Sequence, residues 1–268
     1  MTASTAKDEH ARRPAEDEHE KERKEHTSLR EYLESLLVTV VLALFGTSFV
    51  VQAFKIPSQS MEQTLLIGDH LLVNKFIFGG RDSWYDRFLP YREIRRGEII
   101  VFKFPFDDHA HYVKRVIAIP RDRLKIVDQQ VYVNGNALSE PYKVHDPATY
   151  DPYGDNFPPA SENFLQRNVR SEWAAEILSH VKDGELVVPS NKYFVMGDNR
   201  DRSWDSRYWG FVDRESVMGQ PVLIYWSVDS TSADYSDRSL LGRVVGMAHT
   251  LIRLPMVTRW NRMFRSVH

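Results

Sequence analysis

Hydrophobic and polar positions divide the chain into stretches of different character. Residues 1 to about 30 mix Asp, Glu, Lys, Arg and His with almost no large apolar side chain, too polar to offset the entropy of ordering. A disordered tail is expected there. From Leu36 to Phe54 no residue is charged, and at about 1.5 Å per residue a helix of roughly 19 residues just spans a hydrocarbon core. This pattern predicts a transmembrane helix over residues 35–54, preceded by a tail over residues 1–34. The run exceeds the roughly 7–15 apolar residues of a removable secretory signal, although Val51-Gln52-Ala53 offers small residues at cleavage spacing, so a retained anchor is expected. Lys21, Arg23, Lys24 and Arg30 precede it and only Lys55 closely follows, which places the N-terminus in the cytoplasm and the body outside.

Beyond Gly68 the apolar residues come in short runs broken by turn residues. Leu71–Val73, Glu98–Phe104, Tyr112–Ile119, Lys125–Val127 and Gln130–Val133 read as strands, with Pro105 and Pro120 as terminators. Asn134-Gly135 suits a tight hairpin because both residues tolerate positive φ. Between Glu140 and Pro189 the chain is polar and punctuated by proline. There Leu165, Val169, Trp173, Ile177 and Val181 recur at the spacing of one amphipathic helix face. Val217–Trp226 supplies closing strands, and a mainly β fold with an antiparallel sheet is the natural reading. Leu251–Phe264 intersperses apolar residues with Arg253, Arg259 and Arg262, fitting either a basic segment against anionic headgroups or a helix packed on the body.

Charge and composition narrow the function. Removing the first 54 residues, with 7 basic and 10 acidic, leaves 28 basic against 27 acidic, which gives no reason to expect nucleic acid. Cysteine is absent, so disulfides and thiolate metal sites are excluded. There is no phosphate-binding glycine loop and no dinucleotide fingerprint, and no cofactor is expected. Asp107-Asp108-His109-Ala110-His111 holds potential metal ligands without a recognised metal spacing, and no metal is expected either.

Candidate chemistry begins where the apolar run ends, in Ile56-Pro57-Ser58-Gln59-Ser60-Met61-Glu62-Gln63-Thr64-Leu65. A serine hydroxyl attacks only once a base removes its proton. Lys114, in Tyr112-Val113-Lys114-Arg115-Val116-Ile117-Ala118-Ile119-Pro120, is the best candidate base. An ordinary lysine is neutral only about once in 2,500 at pH 7, a deficit of roughly 4.6 kcal/mol, which burial of the amine can offset. Strand alternation puts Tyr112, Val116 and Ala118 on the Lys114 face and Val113, Arg115, Ile117 and Ile119 on the other. A Ser-His-Asp triad through His70 or His111 stays open, because triad members are joined by the fold rather than by spacing.

These two segments, with Gly68-Asp69-His70-Leu71-Leu72-Val73-Asn74-Lys75-Phe76 and Gly197-Asp198-Asn199-Arg200-Asp201-Arg202-Ser203-Trp204-Asp205-Ser206-Arg207-Tyr208-Trp209-Gly210, closely resemble the bacterial type I signal peptidases. Four motifs fall in that family's order. The resemblance implies a membrane-bound serine endopeptidase of the inner membrane that cleaves signal peptides from exported preproteins, without cofactor or required protein subunit. It assigns Ser60 as nucleophile, Lys114 as general base, and Ser58 with the Ser60 amide as oxyanion donors. Ser203 would orient the lysine amine, with Asp205, Arg207 and Asp198 supporting the site. Ile56 and Val113 are candidate walls of substrate pockets.

The resemblance also implies a second β region inserted in the catalytic body. That divides the chain into catalytic parts at 55–120 and 190–228, an insertion at 121–189 and a basic amphipathic tail at 229–268. Gln59 and Arg121 stand where the family favours glycine, and Gln63 where it favours proline. The aromatic runs Phe76-Ile77-Phe78, Trp84-Tyr85, Phe88-Leu89 and Phe102 to Phe106 suit either core or a surface that dips into lipid. A peptidase dedicated to one secreted substrate, and a tethered binding module without hydrolysis, are the rival readings.

Overall fold

The computed structural model describes residues 30–44, 46, 51–78, 91–160, 168–229 and 256–268. It forms two compact units, Met1–Val50 and Val51–His268. In the first, residues 30–44 form helix α1, on which Leu36, Leu37, Val40, Val41 and Leu44 are all exposed. Among the described residues, no helix is long and apolar enough to cross a membrane. The tail expected to be disordered lies outside the described residues through position 29.

The helix predicted to run to Phe54 does not reach it: Val51–Lys55 is a strand, β1. Val51, Gln52, Ala53 and Phe54 pair in register with Asn74, Val73, Leu72 and Leu71. This ladder satisfies backbone groups that a lipid-spanning helix would have satisfied internally, and β-branched and aromatic residues suit it.

The body of the molecule is mainly β. The remaining strands are Asp69–Asn74 (β2), Ile99–Phe104 (β3), Asp107–Ala118 (β4), Arg123–Val127 (β5), Gln130–Val133 (β6) and Asn136–Ala137 (β7). After them come Val181–Lys182 (β8), Glu185–Val187 (β9), Lys192–Met196 (β10), Val212–Asp213 (β11), Val217–Ser227 (β12) and Arg265–Ser266 (β13). An eight-stranded antiparallel sheet runs β1-β2-β12-β3-β4-β10-β11, with β13 on the edge of β12 away from β2. A smaller sheet runs β7-β6-β5-β9-β8 within residues 123–187.

The large sheet curls. β1 and β4 are separated by three strands in its order, yet the Phe54 and His111 rings meet edge-on at 5.6 Å. Inside the curl, Ile56, Met61, Leu65, Leu71, Val101 and Ile224 form one buried cluster. Phe78, Phe102, Phe104 and Trp209 form a second on the face shared by Val116, so these aromatics are core; Trp84 to Leu89 lie outside the described residues. A third cluster, with Trp173, Ile177, Leu186 and Phe194, joins the two sheets.

Local turns follow local chemistry. Asn134 at φ 52° and Gly135 at φ 78° close the β6–β7 hairpin as their sequence predicts. Of the expected amphipathic helix, Leu165 lies outside the described residues, and the described part is short: α2 spans Ser171–Glu176, a 3₁₀ turn follows over Ile177–His180, and Val181 enters β8. Trp173 and Ile177 are buried as the periodicity requires, but pairing with Leu186 takes Val181 into the sheet. Of the two readings of the C-terminal segment, residues 256–268 agree with packing on the body, though not as one helix. They pack on the body through β13, and Arg262 points inward rather than to solvent.

Arg121, at the link from β4 to β5, holds φ 73°, the left-handed conformation that glycine adopts freely. Its backbone N–H donates to the Val188 carbonyl at 2.8 Å, so the bend is retained with a side chain in place. Arg121→Gly should raise unfolding stability by about 0.5–1 kcal/mol in urea titrations. A loss of stability would contradict strain at this link.

Candidate active site

Ser60 sits at the start of the turn between β1 and β2. Its neighbours fix the turn: Met61 and Leu65 are buried in the curl, and the Leu65 amide donates to the Met61 carbonyl at 2.7 Å. The base of the loop is closed by Ile56 N–H to the Asp69 carbonyl at 2.9 Å and Gly68 N–H to the Ile56 carbonyl at 3.0 Å. Ser60 is 6% exposed, whereas Ser58 is exposed, and their hydroxyl oxygens lie 3.4 Å apart.

Lys114 lies in the middle of the sheet, on β4, and is only 4% exposed. Ser58, Ser60 and Lys114 line one cavity of about 290 Å³, together with Ile56, Val113 and Trp204. The structure therefore brings both serines, the lysine and both candidate pocket residues to one place. Among the described residues, no hydrogen bond joins the Lys114 amine to Ser60 or to Ser203. Catalytic hydrogen bonds commonly shorten only when substrate is bound.

Burial pushes the Lys114 amine down to about 8, against the attraction of Asp205 and Asp198, while Arg207 adds to the lowering. Desolvation wins because the nearby charges largely cancel. Asp205 is itself buried, which would raise its pKa, but Arg207, Lys114 and Ser203 outweigh that and hold it below the ordinary carboxylate value. Arg207 donates through Nε to Asp205 Oδ1 at 2.9 Å and through Nη2 to Oδ2 at 3.0 Å. The pair behind the lysine is thus internally neutralised.

Ser203 is engaged from behind. Gly197 N–H points at both Ser203 Oγ and Asp205 Oδ2, each at 3.1 Å. A Cβ on Gly197 would lie 2.3 Å from Ser203 Oγ and 2.4 Å from the Ser60 carbonyl oxygen, so glycine is what allows this loop to press on the Ser60 backbone. The Asn199 amide then donates to that Ser60 carbonyl at 3.1 Å.

Asp198 makes contacts that its motif alone does not reveal. Arg115, on the opposite face of β4 from Lys114, clamps it with bonds of 2.8 Å and 2.7 Å, and Thr64 Oγ1 donates to it at 2.6 Å. Arg115, Thr64, Gly197, Arg202 and Trp204 are site residues to which sequence reasoning assigned no role. Adjacency to Lys114 was the available signal for Arg115. Gln59 accepts a hydrogen bond from Arg202 beside the cavity, and Gln63 holds φ 74°, which proline could not adopt.

The histidine alternatives are poorly placed. His111 lines the cavity but is exposed and packs on Phe54, while His70 stacks on Trp226 at 5.0 Å, away from the cavity wall. Among the described residues, neither is ion-paired with a carboxylate, so neither has the acid of a triad. Among the described residues, no group of three or more His, Asp or Glu side chains is placed to hold a metal.

The family model described as signal peptidase, peptidase S26 matches residues 29–226. The chain belongs to this family. A signal peptidase I from Pseudomonas aeruginosa is 34% identical over 214 residues, covering 74% of this chain and 73% of its own length. One from Aquifex aeolicus is 32% identical over 228 residues, covering 74% and 85% respectively. A solved signal peptidase I from Enterococcus faecalis matches 48% of this chain and 97% of its own at 31% identity, with a TM-score of 0.35.

For a peptidase of the S26 family, a dry lysine carries a stability cost with a definite pH sign. Its folded value of about 8 lies below the ordinary 10.5, so between these pH values the unfolded chain binds the extra proton and stability rises with pH. Below about pH 8 the full cost, about 3 kcal/mol, is present. Lys114→Met should therefore unfold about 1–3 kcal/mol less readily at pH 7, with the advantage shrinking toward pH 10.5. Chemical denaturation across pH measures this; a variant less stable at pH 7, or a pH-independent difference, would contradict the burial of a cation.

Proposed function

We propose that the chain is a membrane-anchored signal peptidase in which neutral Lys114 removes the Ser60 proton as Ser60 attacks the scissile carbonyl of a preprotein. The observation that carries this reading is a lysine amine, buried and lowered to about 8, opening on the cavity that also holds the Ser60 hydroxyl. At that value about one molecule in ten carries a neutral amine at pH 7, against about one in 2,500 for an ordinary lysine.

Attack places negative charge on the carbonyl oxygen, where the Ser58 hydroxyl and the Ser60 amide donate. The protonated Lys114 then gives its proton to the leaving amine, the C–N bond breaks, and an ester on Ser60 remains. Water, deprotonated by the same amine, hydrolyses that ester and restores both side chains. Asp205 and Arg207 support Lys114 from behind, and Asp198 secures the Ser60 turn. Ser203 orients the amine in the substrate complex.

Substrate enters as an extended strand between β1 and the segment of β4 that precedes its pairing with β10. Ile56 and Val113 bound the pockets that receive small side chains before the cleavage point, and larger groups clash there. The uncharged run of residues 36–54 anchors the chain in the cytoplasmic membrane through its part before β1, where α1 exposes apolar side chains all round. Basic residues before it keep the N-terminus in the cytoplasm and the body outside. The catalytic body comprises residues 55–120 and 190–228, with 121–189 as an insertion.

Detergent-solubilised protein incubated with a panel of preproteins tests the proposal. Cleavage of many precursors after small residues is expected, with kcat/KM rising through about pH 8 to a plateau, because the base must lose its proton to act. Ser60→Ala and Lys114→Met should abolish cleavage, and Ser58→Ala should cost about 10²–10³-fold in kcat. Undiminished turnover by Lys114→Met would overturn the mechanism.

A further inference from the structure

Residues 256–268 lie beyond residues 29–226, the stretch matched by the family model, yet they reach the turn that carries Ser60. Arg262 is buried there. Its Nη2 donates to Asp69 Oδ2 at 2.6 Å and to the Thr64 carbonyl at 3.0 Å, and its Nε donates to Asp69 Oδ1 at 3.2 Å. Asp69 also accepts from the Leu66 amide at 2.8 Å and from the Ser227 hydroxyl at 2.6 Å. One carboxylate therefore joins the far end of the turn, the end of β12 and the segment that carries Arg262.

Thr64 is gripped twice. Asp198, held by Arg115, takes its hydroxyl, and Arg262 takes its carbonyl. Just before it stands Gln63 at φ 74°, a conformation that residues other than glycine keep where their surroundings enforce it. The planar guanidinium suits this task because a single fork can satisfy a carboxylate and a carbonyl together, which an ammonium on a flexible stem does poorly.

We infer that Arg262 is a positioning residue for the proposed nucleophile: by holding Asp69 and the Thr64 carbonyl, it keeps Gln63 left-handed and the Ser60 hydroxyl aimed into the cavity. This inference rests on the reading of Ser60 as nucleophile. Arg262 lines no part of that cavity, so its loss disturbs the reacting geometry while leaving the groove between β1 and β4 intact.

The test compares the full-length wild type with Arg262→Lys, and repeats the comparison in a Gln63→Gly background, where the left-handed conformation is freely available. Arg262→Lys should lower kcat about tenfold with KM within about twofold, and leave the pH midpoint of the rate unmoved. With glycine at residue 63 the loss should shrink below about threefold, the signature of coupling through the turn. Hydrogen exchange at the Met61–Leu66 amides should quicken in Arg262→Lys alone. Unchanged kcat, an equal loss in both backgrounds, or a moved pH midpoint would overturn the inference. Should wild type cleave no preprotein, the reading of Ser60 fails separately, and exchange in the turn still decides whether Arg262 holds it: unchanged exchange overturns the clamp, and faster exchange supports it.

Discussion

Exclusion of water from the Lys114 amine is the constraint to which the other features of the site answer. An interior strand of the sheet buries the lysine at the wall of a cavity that Ile56, Met61, Val113 and Trp204 also line, where a positive charge is poorly solvated. A lone carboxylate at this depth would draw the proton back. Instead the carboxylate that acts on it most strongly, Asp205, is already committed to Arg207, so the amine experiences little net field and burial decides its proton affinity. In the proposed mechanism, the stability that is given up by burying a cation becomes available to the reaction as a neutral base.

The proposed mechanism also needs the Ser60 hydroxyl held near that amine, and the turn that carries it is braced by buried charges. Asp198, held by Arg115, accepts from the Thr64 hydroxyl on one side, while Arg262, held by Asp69, donates to the Thr64 carbonyl on the other. Gly197 lets a third loop press on the Ser60 carbonyl without a clash. Removing one partner of either buried pair leaves a charge without its counterpart, an expensive state, so both pairs give the turn one geometry. Curling of the sheet completes the arrangement by carrying β1 to β4 and leaving a cleft between them.

Much of this was legible in the residues. Short apolar runs bounded by turn residues, Glu98–Phe104 and Tyr112–Ile119, marked two interior strands, Asn134-Gly135 marked a hairpin, and the motifs grouped Ser58, Ser60 and Lys114, which line one cavity. The strand at Val51–Lys55 was hidden because an uncharged run reads as one helix until its pairing with β2 is seen. Likewise Val181 kept the helical period and was taken by β9. Charged partners were hidden for a different reason: Arg115 and Asp198 are 83 positions apart, Arg262 and Asp69 are 193 apart, and composition names no partner over such distances. Arg262 read only as one of several basic residues on a segment lying either against a membrane or on the body.

The proton affinity of the lysine itself gives the most direct check of this account. Titration of the Lys114 side chain by NMR, with its signal assigned by disappearance in Lys114→Met, reads that quantity without reference to substrate. A midpoint of about 8 is predicted. A midpoint at the ordinary 10.5 would mean that the amine is solvated and charged at working pH, and it would contradict a neutral base beside Ser60.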